Sequence, residues 1–132
     1  MPDFMRNRHA VYRLEYQLVV MTFQNMPFIN KPLEERLQEI AYRLFDQRDC
    51  SITGWQAGKN HVRIRFLAPP HIQMSVLVNN FKTVSSRYIR KEFASHLSKF
   101  DDHPQFWKRS SLLFTTGEVS EEDVRRYMEE ES

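Results

Sequence analysis

The sequence predicts an α+β fold of the split βαβ type: an antiparallel sheet with helices on one face, followed by a C-terminal helix. Three observations predict it. Segments with strand-like and helix-like apolar spacing follow one another in the order β-α-β-β-α-β. A turn signal joins the second and third strands as a hairpin, and a capped acidic helix follows the last strand. We expect residues 1–132 to form a single domain of this ferredoxin-like class.

The first half of the chain contains a strand, a helix and a second strand. Residues 11–23 hold a continuous apolar run, which predicts a long and mostly buried strand. Residues 51–57 form the next predicted strand. Asn30 is the expected N-cap of the intervening helix, because Pro32 follows it where a missing N–H costs nothing. The helix carries one apolar stripe, formed by Leu33, Leu37, Ile40, Ala41, Leu44 and Phe45.

The third predicted strand, residues 61–68, divides its side chains between two faces. A turn at residues 58–60 connects it to the strand before it. Apolar side chains face the core from Val62, Ile64 and Phe66. The opposite face carries polar side chains from His61, Arg63 and Arg65.

The second half adds a helix, a loop, a strand and a final helix. Residues 96–109 are predicted to be a polar loop, and residues 111–116 a fourth strand. Ser120 is the expected N-cap of the last helix, whose first turn is acidic. The earlier helix spans residues 74–93, with an inward side formed by Val78, Phe81, Val84, Tyr88 and Ile89.

Composition places the chain among globular proteins. It is 41% hydrophobic and 27% charged and has three glycines, which excludes a disordered chain. Cys50 is the single cysteine and cannot form an internal disulfide, which suits a reducing compartment, and we expect a cytoplasmic protein. No apolar run reaches about 18 residues, so neither a membrane span nor a secretory signal is expected.

The charge is unevenly distributed, although the net charge is only +2. Residues 121–131 are strongly acidic, whereas residues 82–99 contain one acid, Glu92, among five basic residues. A basic segment of this kind suits a phosphate-bearing partner, and solvated helix faces of opposite sign are the alternative. The candidate phosphate contacts are Lys82, Arg87, Arg90 and Lys91.

A tyrosine and a strand histidine form a possible site for phosphodiester chemistry. Tyr127 and Glu131 are four residues apart, so in a helix they would share one face. His61 and Arg63 lie on the polar face of the third strand. A tyrosine oxygen can attack phosphorus, and a divalent ion held by histidine and carboxylate can polarise the phosphate.

Three segments in this order resemble the single-tyrosine transposases of the HUH class, including those associated with repeated extragenic palindromes. Residues 58–70 read GKNHVRIRFLAPP and are similar to the strand that carries the family's metal histidines. Residues 76–93 read VLVNNFKTVSSRYIRKEF and resemble its second helix. Residues 106–130 read FWKRSSLLFTTGEVSEEDVRRYMEE and resemble its tail, which ends with the nucleophilic tyrosine.

The resemblance implies roles for individual residues. His61 corresponds to the first metal histidine, Tyr127 to the nucleophile, and Glu131 to a glutamine that completes binding of Mg²⁺ or Mn²⁺. Arg63 stands where the second metal histidine belongs. Arginine has no acceptor and stays charged, so it cannot ligate a metal. An ion pair between Arg63 and Glu131 could therefore replace the metal.

The function that this resemblance implies is that of a transposase-like protein. It would bind single-stranded or hairpin DNA at mobile-element ends and would cleave and rejoin it through a phosphotyrosine intermediate. The resemblance also implies a homodimer, in which each terminal helix delivers Tyr127 to the partner's site. Arg63 supports a first alternative, a catalytically inactive, domesticated protein that binds nucleic acid without cutting it. A ferredoxin-like interaction or regulatory domain unrelated to DNA is the second alternative.

Overall fold

The computed structural model describes residues 13–100 and 105–130, which form four strands and four α-helices. One turn of 3-10 helix, Phe23–Asn25, follows the first strand. The described elements are, in chain order, β1 (Leu14–Thr22), α1 (Lys31–Asp46), β2 (Ser51–Ala57), β3 (His61–Ala68), α2 (Met74–Glu92), α3 (Ala94–Leu97), β4 (Trp107–Thr115) and α4 (Glu121–Glu129).

The four strands form one antiparallel sheet in the order β2-β3-β1-β4. This order is that of the predicted ferredoxin-like fold, which the structure confirms. The inner strand β1 pairs with β3 on one side and with β4 on the other. Its residue Val19 lies opposite both Arg63 on β3 and Leu112 on β4. Residues opposite one another in such a ladder direct their side chains to the same face. The register therefore defines which side chains meet on each face of the sheet.

Helices α1 and α2 cover one face of the sheet and bury the main core. Leu18 and Val20 of β1 are fully buried there with side chains of both helices. The predicted stripe of α1 and the predicted inward side of β3 are all buried, as expected. In α2 the pattern differs slightly: Leu77 and Ser85 are buried, whereas the predicted Val84 and Tyr88 are half-buried at its edge.

Helix α4 covers the opposite face, which we call the α4 face. A second, smaller cluster of buried side chains holds it to the sheet. Val19 and Met21 come from β1, Phe114 from β4 and Val124 from α4, and Tyr127 packs against this cluster. The predicted C-terminal helix is thus a third layer, on the side away from α1 and α2.

Side-chain caps start two helices as predicted. The Asn30 side chain accepts a hydrogen bond from the Leu33 amide at 2.9 Å at the start of α1. The Ser120 hydroxyl accepts one from the Asp123 amide at 3.1 Å at the start of α4. Each bond satisfies a backbone donor that the first helical turn leaves open.

The predicted polar loop over residues 96–109 is wrong at both ends. Helix α3 occupies its beginning, and β4 starts at Trp107 instead of residue 111. Phe106 and Trp107 are buried, and the Trp107 indole N–H donates to the Ser85 hydroxyl at 3.0 Å. Burial of these aromatic rings favours a strand here, although the polar residues that follow them are typical of a loop. No helix in the described parts of the chain is long and apolar enough to span a bilayer.

Candidate nucleic-acid interface and tyrosine site

A positively charged groove runs between α2 and the first residues of β4. It is an open cavity of about 700 Å³, and we call it the basic groove. One wall is α2, where positions four residues apart share a face. The other wall is residues 105–109. All four candidate phosphate contacts line this one groove: Lys82, Arg87, Arg90 and Lys91.

The chemistry of the basic groove suits anions. Lys82 spans it and donates from Nζ to the Arg109 carbonyl at 2.7 Å, and burial lowers the pKa of its ammonium group. Arg87 and Lys91 are exposed along the rim. None of the described residues that line the groove is acidic. The groove can therefore hold several phosphate groups with little electrostatic opposition.

Sequence reasoning missed Arg109 as a groove residue. Arg109 fell within the predicted polar loop, because β4 begins with several polar residues. The signal that was present is the buried aromatic pair Phe106 and Trp107, which ends two residues before Arg109 and is typical of a strand start. Lys108 points to the other side of the sheet, where its Nζ donates to the Glu130 carbonyl at 2.8 Å.

His61 lies at the first position of β3 on the α4 face. Its Nδ1 is 3.1 Å from the Asn60 side-chain oxygen. The ring rests on Gly58, where an added Cβ would come within 2.5 Å of the His61 Cε1 atom. Burial and the charge of Arg63 lower the pKa of the imidazole. The ring is therefore neutral at neutral pH and has its orientation fixed by the turn before it.

Arg63 is held by three hydrogen bonds. Its Nε donates to the Gln17 side-chain oxygen at 2.8 Å. Its two terminal nitrogens donate to the two carboxylate oxygens of Glu121 at 2.9 and 2.7 Å. Arg63 holds the pKa of Glu121 below its usual range. An ion pair does stand at this position, but the carboxylate comes from the first turn of α4 and belongs to Glu121.

The predicted role of Glu131 falls at the end of the described chain. Helix α4 ends at Glu129, and Glu130 has an extended backbone with ψ of 142°. The shared face of Tyr127 and Glu131 therefore stays a prediction. Glu131 itself lies outside the described residues.

Tyr127 lies on the same sheet face as His61, within one chain. Met21 locates both residues on this face. Tyr127 packs against the cluster that contains Met21, and His61 lies opposite Met21 in the sheet register. The Tyr127 hydroxyl is buried and has no partner with hydrogen-bond geometry. Burial raises the pKa of this phenol, and the nearby Ser110 side chain offsets part of that rise. The hydroxyl is thus protonated and sheltered in this conformation.

The described residues do not fit a divalent metal site on the α4 face. No group of three histidine, cysteine, aspartate or glutamate side chains in residues 13–100 and 105–130 could hold one. His61 has Arg63 as its neighbour on the strand, and a fixed cation opposes a second cation. The bidentate carboxylate of Glu121 is already engaged by that arginine.

The similarity to known proteins covers nearly the whole chain. Residues 10–131 match the family described as IS200-like transposases. A candidate transposase from Deinococcus radiodurans R1 superposes with a TM-score of 0.82 at 22% identity, over 94% of this chain and 95% of that chain. A REP-associated tyrosine transposase bound to a REP hairpin gives 0.55 at 11% identity, over 93% and 67%. Among curated proteins, no significant match is found. At these identities, the two structures show a shared fold.

Proposed function

The chain belongs to the IS200-like transposase family, and from this premise we propose that it binds single-stranded or hairpin DNA at mobile-element ends without cleaving it. The observation that carries the proposal is the basic groove, which brings Lys82, Arg87, Arg90 and Lys91 together with Arg109. Phosphate contacts of this kind position a nucleic acid without reading its sequence. The hairpin bound to the REP-associated relative supports DNA as the ligand.

Two features of the α4 face support binding without cleavage. Arg63 stands where a metal ligand is expected and is paired with Glu121. The Tyr127 hydroxyl is buried and protonated, so it is a poor nucleophile as it stands. A nucleophile in this state would need both a base and an opening of α4 to reach a phosphate.

The binding proposal is tested by neutralising the rim of the groove. In the double variant Arg87→Gln and Lys91→Gln, affinity for a hairpin-tipped single-stranded oligonucleotide should fall. The slope of log K against log salt should shrink by about 0.7 for each lost contact to single-stranded phosphate. Fluorescence anisotropy over a series of salt concentrations measures both quantities.

Arg125→Gln is the matched control for this experiment. Arg125 is an exposed arginine on α4, on the far face of the sheet, and it pairs with Glu122. It removes one positive charge, half of what the double variant removes, and its affinity and salt slope should stay close to those of the wild type. Unchanged binding in the double variant would contradict the groove proposal. Absence of salt-dependent affinity in the wild type would favour a role unrelated to DNA.

Cleavage and rejoining is the second candidate function, favoured by the shared face of Tyr127 and His61. In that reaction the Tyr127 hydroxyl would give its proton to a base, and its oxygen would bond to phosphorus as the bond from phosphorus to the leaving sugar oxygen breaks. The leaving sugar oxygen would then take up a proton. The family resemblance implies Mg²⁺ or Mn²⁺ held by His61 and Glu131, and the ion would polarise the phosphate.

A covalent-adduct assay separates the two candidate functions. Wild type, Tyr127→Phe and Arg63→His are incubated with labelled hairpin DNA and Mn²⁺, and adducts are resolved on a denaturing gel. We expect no adduct from the wild type. An adduct that forms with the wild type and disappears in Tyr127→Phe would establish cleavage instead. An adduct from Arg63→His alone would show that Arg63 is what blocks the chemistry.

We also propose a homodimer, as the family resemblance implies. In the described chain α4 packs on its own sheet, and delivery of Tyr127 to the partner's site stays a prediction. Sedimentation equilibrium with and without hairpin DNA measures the mass. A monomer under both conditions would contradict this assembly.

A further inference from the structure

A second cavity lies on the α4 face, away from the basic groove. It has a volume of about 180 Å³ and lies over β1, β2 and β3. Its walls are formed by Gln17, Gly54, Trp55, Gln56, Arg63 and Arg65. The cavity therefore adjoins the ion pair of Arg63 with Glu121.

This cavity is rich in hydrogen-bond donors. Arg63 and Arg65 are two residues apart on β3, so both side chains lie on the same face. Gln56 lies opposite Arg63 in the register, and Gln17 lies opposite Arg65. None of the described residues that line the cavity is acidic. Because guanidinium forks match the oxygen geometry of carboxylates and phosphates, the cavity favours an anion with several oxygens.

Glu121 shows that such an anion fits the Arg63 fork. Its two carboxylate oxygens accept from the two terminal nitrogens of Arg63 at 2.9 and 2.7 Å. The Arg63 side chain is only 14% exposed and is also fixed by Gln17, whereas the Glu121 side chain is 78% exposed. Arg63 is therefore the fixed partner, and the carboxylate is the one that can exchange.

Exchange of the Glu121 carboxylate does not require α4 to leave the sheet. Val124 is buried in the cluster on this face. At the other end of the helix, Lys108 and Asn25 both donate to the Glu130 carbonyl, at 2.8 and 3.1 Å. A rotation of the Glu121 side chain into solvent leaves all of these contacts in place.

We propose that this cavity is a phosphate-binding site and that Glu121 is its built-in competitor. The ligand is a phosphate group, either free or as a phosphodiester of nucleic acid; the phosphodiester form rests on the proposed function, and the free form does not. Arg63 and Arg65 hold the anion directly, with Gln17 orienting the first guanidinium. The position at which the family would place a metal cation has become a site for an anion.

A phosphate titration followed by NMR tests this proposal. The signals are the Nε–H groups of Arg63 and Arg65, of which the first is hydrogen-bonded to Gln17. In Glu121→Gln, affinity for inorganic phosphate should rise about fivefold, because an exposed ion pair opposes the ligand by an amount of that order. Both arginine signals should move together along the titration.

Two further variants keep the test specific. Glu122→Gln makes the same charge change one residue later, and Glu122 pairs with Arg125 instead of Arg63. It should leave phosphate affinity unchanged. Arg65→Gln, made in the Glu121→Gln background, should weaken phosphate binding while the Arg63 Nε–H signal keeps its place in the phosphate-free spectrum. That signal also reports that the sheet is intact.

The source of the phosphate is distinguished by a second probe, a short single-stranded thymidine oligonucleotide. It is titrated into Glu121→Gln protein that also carries Arg87→Gln and Lys91→Gln. Binding of the oligonucleotide in the basic groove is then weakened, so the result does not depend on the proposed function of that groove. If the two arginine signals move at a lower concentration of oligonucleotide than of inorganic phosphate, the site is assigned to nucleic acid. Movement with inorganic phosphate alone assigns it to free phosphate. If neither probe moves the two signals in Glu121→Gln, or if Glu122→Gln acts equally, the proposal is wrong.

Discussion

At the residue scale, one buried hydrogen bond joins β4 to α2. The Ser85 hydroxyl is fully buried; it accepts from the Trp107 indole and donates to the Phe81 carbonyl. Ser85→Ala would leave the indole N–H buried without a partner. Such a change costs about 1–3 kcal/mol, and urea denaturation should show a loss of that size in the free energy of unfolding.

Ser86→Ala is the matched control for this bond. Ser86 is the next residue of α2, half-buried at the wall of the basic groove. We expect its free energy of unfolding to stay within about 0.5 kcal/mol of the wild type. Equal losses in the two variants would mean that the Trp107 bond contributes nothing specific.

The imidazole of His61 should make stability depend on pH. Burial, and secondarily Arg63, lower its pKa in the folded protein. The unfolded chain then binds more protons, so this contribution to stability is complete above about pH 6.5 and is lost as pH falls below that value. His61→Gln should lack this part of the pH slope in urea denaturation.

Arg63→Gln provides an independent check on the cause. Without the guanidinium charge, the His61 midpoint in an NMR titration should move upward, towards its ordinary value. It should remain below that value, because burial is the larger cause and persists. An unchanged midpoint in Arg63→Gln would show that burial alone sets the pKa.

At the element scale, α4 is held to the sheet by a small number of buried side chains. Val124 is only 1% exposed and belongs to the second cluster. Val124→Ala should lower the free energy of unfolding by about 1–3 kcal/mol, through lost burial and a residual cavity. Hydrogen exchange of the α4 amides should become faster, because the helix has few other buried contacts.

Arg125→Ala is the comparison within the same helix. It changes an exposed position one residue away and should alter stability by no more than about 0.5 kcal/mol. If the α4 amides exchanged equally slowly in both variants, the second cluster would not be what retains the helix.

Local signals made most elements predictable, and tertiary contacts account for the errors. The caps at Asn30 and Ser120 depend on side chains within three residues, so the sequence alone reveals them. The start of β4 depends on a contact between Trp107 and Ser85 of α2, which local sequence does not reveal. A shift in the β1–β4 register between Val20 and Thr22 also separates the start of β4 from the regular part of its ladder. Its polar residues therefore resembled a loop.

At the scale of the whole molecule, the sheet separates two surfaces for which we propose different roles. The basic groove lies on the side of α2, and the α4 face lies on the other. We therefore expect the variants to separate in the same way. Val124→Ala should lose stability but keep its DNA affinity, while the variant with Arg87→Gln and Lys91→Gln should lose affinity but keep its free energy of unfolding. Anisotropy and urea denaturation on both proteins check this.

A loss of both properties in either variant would contradict that separation. It would mean that the two faces are coupled through the sheet. Such coupling would also alter the expected behaviour of Arg63, whose partners lie on β1 and α4.

The fold was more predictable than the site for a physical reason. Apolar periodicity reports which side chains face a core, and it indicated the order of strands and helices. The partner of Arg63 depends on how α4 lies across the sheet, which no periodicity records. The sequence pointed to Glu131, which lies outside the described residues. The carboxylate that the structure pairs with Arg63 is Glu121, six residues before Tyr127.

Strand β1 has a consequence for how this chain can diverge. Its consecutive residues alternate between two compartments: Leu18 and Val20 belong to the main core, and Val19 and Met21 to the cluster beneath α4. β1 therefore contributes side chains to both clusters. An insertion of one residue in β1 would move its core-facing side chains to the α4 face and the others to the core. Substitutions on neighbouring strands, such as an arginine at position 63 of β3, can instead change the side chains on one face of the sheet and leave the packing on the other face as it is.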